Sequence, residues 1–320
     1  MSHAAMQGFV SPAFEEIFGA HRRFLWGLCY RMTGNAADAD DLVQETFVRA
    51  WKSPPERTEE PWRPWLARVA MNLSRDLLRH RKRRHYDGTW LPSPIETGDE
   101  AAPPPDEPVD EQGDPAARYD MLESVSFAFL LALEALTPAQ RAVLLLRDVF
   151  DYSVKEAADA LSMSEPNVKT THHRARRTMS DYDRKRRLPT RSLQEQTRQA
   201  MERFLSCLHN HDVAGAEAVL AADVAHLADG GGEFIAARTP VVGRQKVALF
   251  NEKIVRGADL WTGSARVYWR MFNGMPARVM EFDDPPQKYA PRIVTTCELD
   301  EAGNIRRIFN ILATCKLTAT

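Results

Sequence analysis

The chain has 320 residues, 44% apolar and 27% charged, a balance that suits two or three folded domains and excludes a disordered or collagenous chain. Its formal net charge of -2 hides a segregation: Arg75, Arg79, Arg81, Lys82, Arg83 and Arg84 lie together, as do Arg174, Arg176, Arg177, Arg184, Lys185, Arg186 and Arg187, and a phosphate backbone feels local charge. Four scattered cysteines (Cys29, Cys207, Cys297, Cys315) without metal-ligand spacing predict reduced thiols in a cytoplasmic protein with no metal and no cofactor, and no run approaches the ~20 apolar residues of a membrane span.

From Phe14, the residues Ile17, Phe18, Phe24, Leu25, Leu28 and Met32 recur at helical spacing until Gly34-Asn35 ends the helix. A second amphipathic helix carries Asp38, Asp40, Asp41, Gln44 and Glu45 around its start, where acids suit the dipole. Its apolar positions, Leu42, Val43, Phe47, Val48 and Trp51, lie on several sides, which leaves some for a partner. The proline-interrupted stretch Ser53 to Pro64 precedes a third helix with a buried stripe of Trp65, Leu66, Val69, Leu73 and Leu77. Asn72, Arg75, Asp76, Arg79 and a basic tail project elsewhere. An aromatic-bearing loop beside a basic helix suits opened or single-stranded DNA, although Trp62 and Trp65 read more readily as core or hinge residues than as base-stacking ones.

Thr89 to Pro115 is rich in proline and acid and predicts an extended tether. Thr137-Pro138 then opens a helix, and Ser153 with Glu156 forms a capping box for a short one bearing Val154, Ala157, Ala158 and Leu161. After the turn Ser162-Met163-Ser164, Ser164 is expected to cap a third helix. Val168 and Ala175 face inward on it, with Asn167, Lys169, Thr170, His173, Arg174, Arg176 and Arg177 outside. This is a helix-turn-helix whose last member would enter a DNA major groove. Beyond Ser192, two helices (around Met201 to Leu208, and around Val213 to Leu220 capped by Asp212) precede six strand-like pieces. These are VAHLAD, EFIAA, SARVYWRMF, ARVMEF, RIVTTCEL and NIRRIFNIL, with Gly243 to Val255 helical between the second and third. An α+β cone with a curved antiparallel sheet is expected, and Asn273-Gly274 reads as a hairpin turn.

DADDLVQETFVRAW, WLARVAMNLSRDLLR, and LTPAQRAVLLLRD followed by SEPNVKTTHHRAR resemble, in order and separation, the two domains of extracytoplasmic-function sigma factors. WLPSP at Trp90 to Pro94 and DGGGE at Asp229 to Glu233 resemble signatures of the group that carries a carboxy-terminal SnoaL-like domain of the NTF2 superfamily, although the group has WLPEP and DGGGK. The resemblance implies a multidomain chain. All-α sigma region 2 would occupy 11–86, an acidic linker 87–118, the all-α region 4 helix-turn-helix 119–188 and the α+β SnoaL-like cone 192–320.

The resemblance also implies partners, namely core RNA polymerase, through its β′ clamp helices and β flap, and promoter DNA. Asp38, Asp41, Leu42, Gln44, Glu45 and Phe47 would dock on polymerase. Trp62, Asn72, Arg75, Asp76 and Arg79 would engage the −10 element. Ser164, Pro166, Asn167, Lys169, Thr170, His173, Arg174 and Arg177 would engage the −35 element, with Pro166-Asn167 standing where Gly-Thr is common. Trp90, Leu91, Pro92, Asp229, Gly230, Gly231 and Gly232 would make the regulatory contact between domains. The expected function is promoter-specific transcription initiation, tuned by the chain's own last domain and without catalysis. Two alternatives stay open, a plain helix-turn-helix regulator and a cyclase or isomerase fused to DNA-binding helices. In the second, a cavity near His226, Asp229, Glu233, Trp261 and Trp269, or some unknown small ligand, would matter.

Overall fold

The computed structural model describes residues 12–55, 61–83, 88–97, 119, 121, 123–259 and 263–317. Helix α1 (Pro12–Thr33) stops where Gly34 takes φ 65°, a left-handed conformation cheap only for glycine, and donates its N–H to the Tyr30 carbonyl at 2.6 Å. Asn35 caps α2 (Ala36–Lys52) by accepting the Asp38 N–H at 3.1 Å. Together with α3 (Trp62–Arg83), these helices bury Leu25, Leu28, Phe47, Leu66 and Met71.

The second helical unit comprises α4 (Phe127–Leu133), α5 (Pro138–Asp148), α6 (Val154–Leu161), α7 (Glu165–Thr178) and α8 (Ser180–Lys185). Capping boxes at Thr137/Gln140 and Ser153/Glu156 start α5 and α6, and Ser162 in the left-handed region ends α6. Ser164 stands at the N-cap of α7, but its side chain makes no capping hydrogen bond, against expectation. Pro166 removes the second-position N–H, one of the two donors a cap normally satisfies.

The two helical units share one hydrophobic core, with α3 packed on α5 and α6, and α1 on α5. Buried polar groups tie the seam. Arg141 donates to the carbonyls of Met32 at 2.7 Å and Leu133 at 2.8 Å, and Arg31 donates to Ser124 Oγ at 2.7 Å. Each guanidinium thereby satisfies carbonyl or hydroxyl oxygens that would otherwise be stranded away from water.

The last unit contains α9 (Arg191–His209), α10 (Val213–Ala218), β1 (Leu220–Asp229), β2 (Val241–Val242) and α11 (Arg244–Asp259). These precede β3 (Ala265–Phe272), β4 (Met275–Phe282), β5 (Arg292–Leu299) and β6 (Ile305–Ile311). The sheet order is β2-β1-β6-β5-β4-β3. The α+β cone is present, but the expectation of a wholly antiparallel sheet fails at β1 and β6, which run parallel. The long connection through α11 and β3–β5 supplies the crossover that parallel pairing needs. EFIAA is likewise no strand, because the N–H groups of Glu233 and Phe234 both turn back to the Gly230 carbonyl. Leu220 begins β1 and does not extend α10. Asn273 (φ 53°) and Gly274 (φ 75°) make the expected hairpin turn, and Trp261 lies outside the described residues.

Strand alternation gives the sheet two faces. Val224, Cys297 and Ile308 pack under α9–α11, whereas Leu227, Val279, Val294 and Phe309 face the other way. This second face is covered by Phe127 of α4, which stacks on Phe309 at 5.6 Å between centroids, and by Leu91 and Leu317. Leu91 belongs to the stretch expected as a free tether. Residues 91–94 are buried and Glu96 bridges to Phe272, because Leu91 and the two prolines offer apolar surface for the sheet to cover. The remainder of that stretch, 98–118, lies outside the described residues.

His226 sits fully buried under α11, with Asn251 Nδ2 3.1 Å from Nδ1, and burial pushes its pKa down to about 4, a fall that the Asn251 hydrogen bond only partly offsets. The unfolded chain therefore binds a proton at higher pH than the native one. Stability from this site is complete above the unfolded value of about 6.5 and lost as pH falls towards 4, amounting to about 3 kcal/mol. His226→Gln should flatten the pH dependence of the melting temperature between pH 6.5 and 4, as thermal unfolding followed by circular dichroism would reveal.

Candidate nucleic-acid interface and interdomain junction

Helix α7 presents an outward face. Ser164, Pro166, Asn167, Lys169, Thr170, His173, Arg174 and Arg177 are all exposed, while Val168 and Ala175 are buried beneath them. The helix is oriented from behind by Asp148 at the end of α5, which is fully buried. Asp148 Oδ1 lies 2.9 Å from His172 Nε2, and Oδ2 accepts from Arg176 Nε at 3.0 Å. Burial alone would raise the Asp148 pKa, but the hydrogen bonds and charges of His172 and Arg176 outweigh it and hold the carboxyl below its ordinary value. Sequence reading missed this clamp because it places Arg176 on the outer face of a basic helix.

On α3, Asp76 and Arg79 are exposed and paired at 2.9 Å, and Trp62 and Asn72 are half-buried. Arg75 is turned towards the second unit, where its Nη1 donates to the Leu161 carbonyl at the end of α6 at 3.2 Å. That carbonyl is one of the orphan acceptors at a helix C-terminus, a favourable position for a cation. In this conformation Arg75 therefore faces protein and not solvent.

On α2, Asp41, Gln44 and Glu45 are exposed, next to exposed Val48 and Trp51. Leu42 and Phe47 are only 7% and 4% exposed, which corrects their expected place on a docking surface. Phe47 packs against Phe14 and Phe18, so the exposed large apolar groups of this helix are Val48 and Trp51. Asp38 is half-buried, and its pKa is raised by burial, against the attraction of Arg81 and Lys316. Lys316 belongs to the last unit, so the start of α2 adjoins it.

The predicted regulatory residues do come together. Asp229, at the end of β1, accepts the Leu91 N–H at 2.7 Å and the Lys316 ammonium at 2.5 Å on Oδ2, while Oδ1 accepts the Gly231 N–H at 3.1 Å. Lys316 also donates to the Leu91 carbonyl at 2.6 Å and lies 4.6 Å from the Trp90 ring centroid, whose ring Arg81 of α3 approaches at 4.5 Å. A Cβ on Gly34 would meet Trp90 Cη2 at 2.5 Å, so only glycine admits the indole. Pro92 is buried beside Leu91. Gly230 and Gly231 sit so close to Phe234 and Ala313 that any side chain would collide, while Gly232 (φ 77°) completes the turn.

A second knot was not legible beforehand. Asn273 of the β3–β4 turn is fully buried and donates to Tyr30 Oη of α1 at 2.8 Å and to the Val125 carbonyl at 2.7 Å, and it accepts the Ile95 N–H at 3.0 Å. Its sequence signal was that of a turn alone. Of the residues named for a catalytic cavity, His226 and Asp229 do not converge, since His226 points under the helices and Asp229 points towards the linker, on opposite faces of β1.

The comparisons agree on the helical units. A family model described as Sigma-70 region 2 matches residues 17–84, and one described as Sigma-70, region 4, matches residues 126–179. ECF RNA polymerase sigma factor SigG of Mycobacterium tuberculosis is 42% identical over 173 residues, covering 50% of this chain and 46% of that protein. The match thus spans about half the length of such mycobacterial relatives. RNA polymerase sigma factor CarQ of Myxococcus xanthus is 32% identical over 164 residues, covering 51% of this chain and 84% of that protein. The crystal structure of the Mycobacterium tuberculosis extracytoplasmic function sigma factor SigJ superposes with a TM-score of 0.69 at 25% identity, over 96% of this chain and 99% of that one.

Removing one partner of a buried ion pair strands the other charge. Lys316→Ala is expected to cost about 3–5 kcal/mol, whereas Asp229→Asn combined with Lys316→Met should recover most of that loss. Chemical denaturation of the three chains would measure both differences.

Proposed function

Because this chain belongs to the extracytoplasmic-function RNA polymerase sigma factors, we propose that it binds core RNA polymerase and directs promoter-specific transcription initiation, restrained by its own carboxy-terminal domain. Asp41, Gln44 and Glu45, with Val48 and Trp51, form the docking surface for the polymerase clamp on this reading, and the exposed face of α7 reads the −35 element. Arg and Lys at its rim make salt-sensitive phosphate contacts, while first-turn side chains reach base edges.

The observation that carries the restraint is the shared core of the two helical units. Elements centred 35 and 10 nucleotides upstream lie about 25 base pairs apart, or about 85 Å of duplex at 3.4 Å per step. Helices that pack side by side, with Arg75 bonded to Leu161, cannot reach both at once. The conformation is therefore a closed one, and promoter engagement requires α3 and α6 to part. The carboxy-terminal domain holds the closed state by gripping Trp90 and Leu91 on one side and stacking Phe309 on Phe127 of α4 on the other. A ligand or partner opens the chain only by binding the open state better.

Catalysis is the weaker reading. The imidazole of His226 is buried and held neutral, and Asp229 is spent on the linker.

A gel-shift and a run-off assay test this together. A promoter fragment should be retained only when core polymerase accompanies the chain, and retention by the chain alone would favour a plain helix-turn-helix regulator. Trp90→Ala, which empties the contact between Gly34, Arg81 and Lys316, should raise run-off product several-fold, whereas unchanged product would remove the restraint from the reading.

A further inference from the structure

A cleft of about 620 Å³ opens between the second helical unit and the uncovered part of the sheet. One wall is Phe127 and Leu131 of α4 with the basic end of α8. The other is Leu227 and Phe309 of the sheet, with Glu298 and Arg307 beyond them. The volume falls in the range of small-molecule sites, about 300–1,000 Å³, and such sites combine an apolar body with a few convergent polar groups. This one does so. Lys185, Arg186, Arg187, Arg306 and Arg307 line it; Arg186, Arg306 and Arg307 pair with Glu123, Asp223 and Glu298, so Lys185 and Arg187 carry the positive charge that the rim offers to an anion. Glu298 adds a directional feature, because its Oε1 is out of water and accepts no hydrogen bond, while Oε2 takes one from Arg307 at 3.2 Å. A buried acceptor left without a donor is costly, and a ligand N–H or O–H would satisfy it.

We propose that this cleft binds an amphipathic organic anion, an apolar body with one carboxylate or sulfonate and one hydrogen-bond donor, and that its occupancy locks the closed conformation. The apolar body lies between Leu131 and Leu227, the donor meets Glu298, and the anion meets the rim at Lys185. The direction of regulation follows from where the walls come from. Half of the lining belongs to the helix-turn-helix unit and half to the sheet, so the complete site exists only while they are packed together. A ligand with that preference shifts the population towards the packed state, and output must fall. The regulatory half of the proposal rests on the closed-state reading above, whereas the binding half does not.

The test uses the full chain and 1-anilinonaphthalene-8-sulfonate, which has an aromatic body, a sulfonate and one N–H. Fluorescence should rise saturably with one probe per chain and be reversed by 3-hydroxydodecanoate but not by dodecanol. Lys185→Glu, at an exposed position, and Leu131→Trp, which fills the apolar slot, should each weaken binding by about tenfold or more. An unaltered melting curve for Lys185→Glu separates lost binding from lost folding. Absence of saturable binding, or equal binding by the parent and both variants, overturns the site. In run-off transcription, 3-hydroxydodecanoate should lower product from the parent by about threefold or more and leave Leu131→Trp unaffected. Binding without a fall in product overturns the lock while sparing the site. Failure of the ligand-free chain to initiate at all would count against the sigma-factor reading and leave the fluorescence result standing.

Discussion

Two charges removed from water must be paired, and that necessity organises the junction of this molecule. Lys316 is 1% exposed and Asp229 fully buried, and their mutual contact, the Leu91 and Gly231 backbone groups and the Trp90 ring stand in place of solvent. Such pairs add little net stability compared with apolar residues of the same size, because desolvation consumes most of the Coulomb gain. What this pair fixes is register, because a misplaced linker deprives Asp229 of the Leu91 N–H and Lys316 of the Leu91 carbonyl, whereas a misplaced apolar strap would merely slide. The pair is thus better understood as a device that accepts one placement of Trp90 and Leu91 than as a source of stability. Burial holds the Lys316 pKa below the usual lysine value, and Asp229 opposes that shift only in part.

From that placement the rest of the closed arrangement follows. Trp90 lies against Gly34, which ends α1. Ser93 donates its N–H to the Gly34 carbonyl at 2.9 Å, and its hydroxyl accepts the Ala36 N–H at 3.2 Å, so the linker also serves the junction of α1 and α2. Further along, Asn273 reads the same linker at Ile95 and joins it to Tyr30. Two independent knots at the ends of a short strap leave it little freedom, and each uses a side chain from the carboxy-terminal domain. Region 4 is held separately, by α4 on the sheet and by the core it shares with region 2. Three contacts of different chemistry therefore close the chain: an ionic one, an amide-centred one and an apolar one.

How much of this could be read beforehand depends on whether the signal is local. Capping boxes, the left-handed end of α1, the Asn273-Gly274 hairpin and the outward set of α7 involve residues within a few positions of each other, so spacing reveals them. The meeting of WLPSP with DGGGE was legible only through resemblance to a family, since 138 positions separate Leu91 from Asp229 and no periodicity spans that gap. Where reading failed, a long-range partner had overridden composition. The tether became a strap because the sheet offered a surface, and Leu42 and Phe47 turned inward because α1 offered Phe14 and Phe18. Parallel pairing of β1 with β6 escaped for the same reason, as alternation within a strand does not name its neighbour.

The closed state also explains why an acidic helix and a basic one coexist without neutralising each other. Arg75 donates from Nη1 to a helix-end carbonyl, and a neutral acceptor releases a cation more readily than a charged one would. A latch made from charge-assisted bonds at the linker and a neutral bond at the DNA-facing helix divides the work. The first fixes the arrangement and the second lets go. On the closed-state reading, opening costs the apolar contacts between α3 and α6 and between Phe127 and Phe309 together with the seam bonds of Arg141 to Met32 and Arg31 to Ser124, which polymerase and promoter would repay with surfaces of their own. A molecule that adds to or subtracts from the packing between region 4 and the sheet would, on the same reading, shift the balance between closed and open without touching DNA.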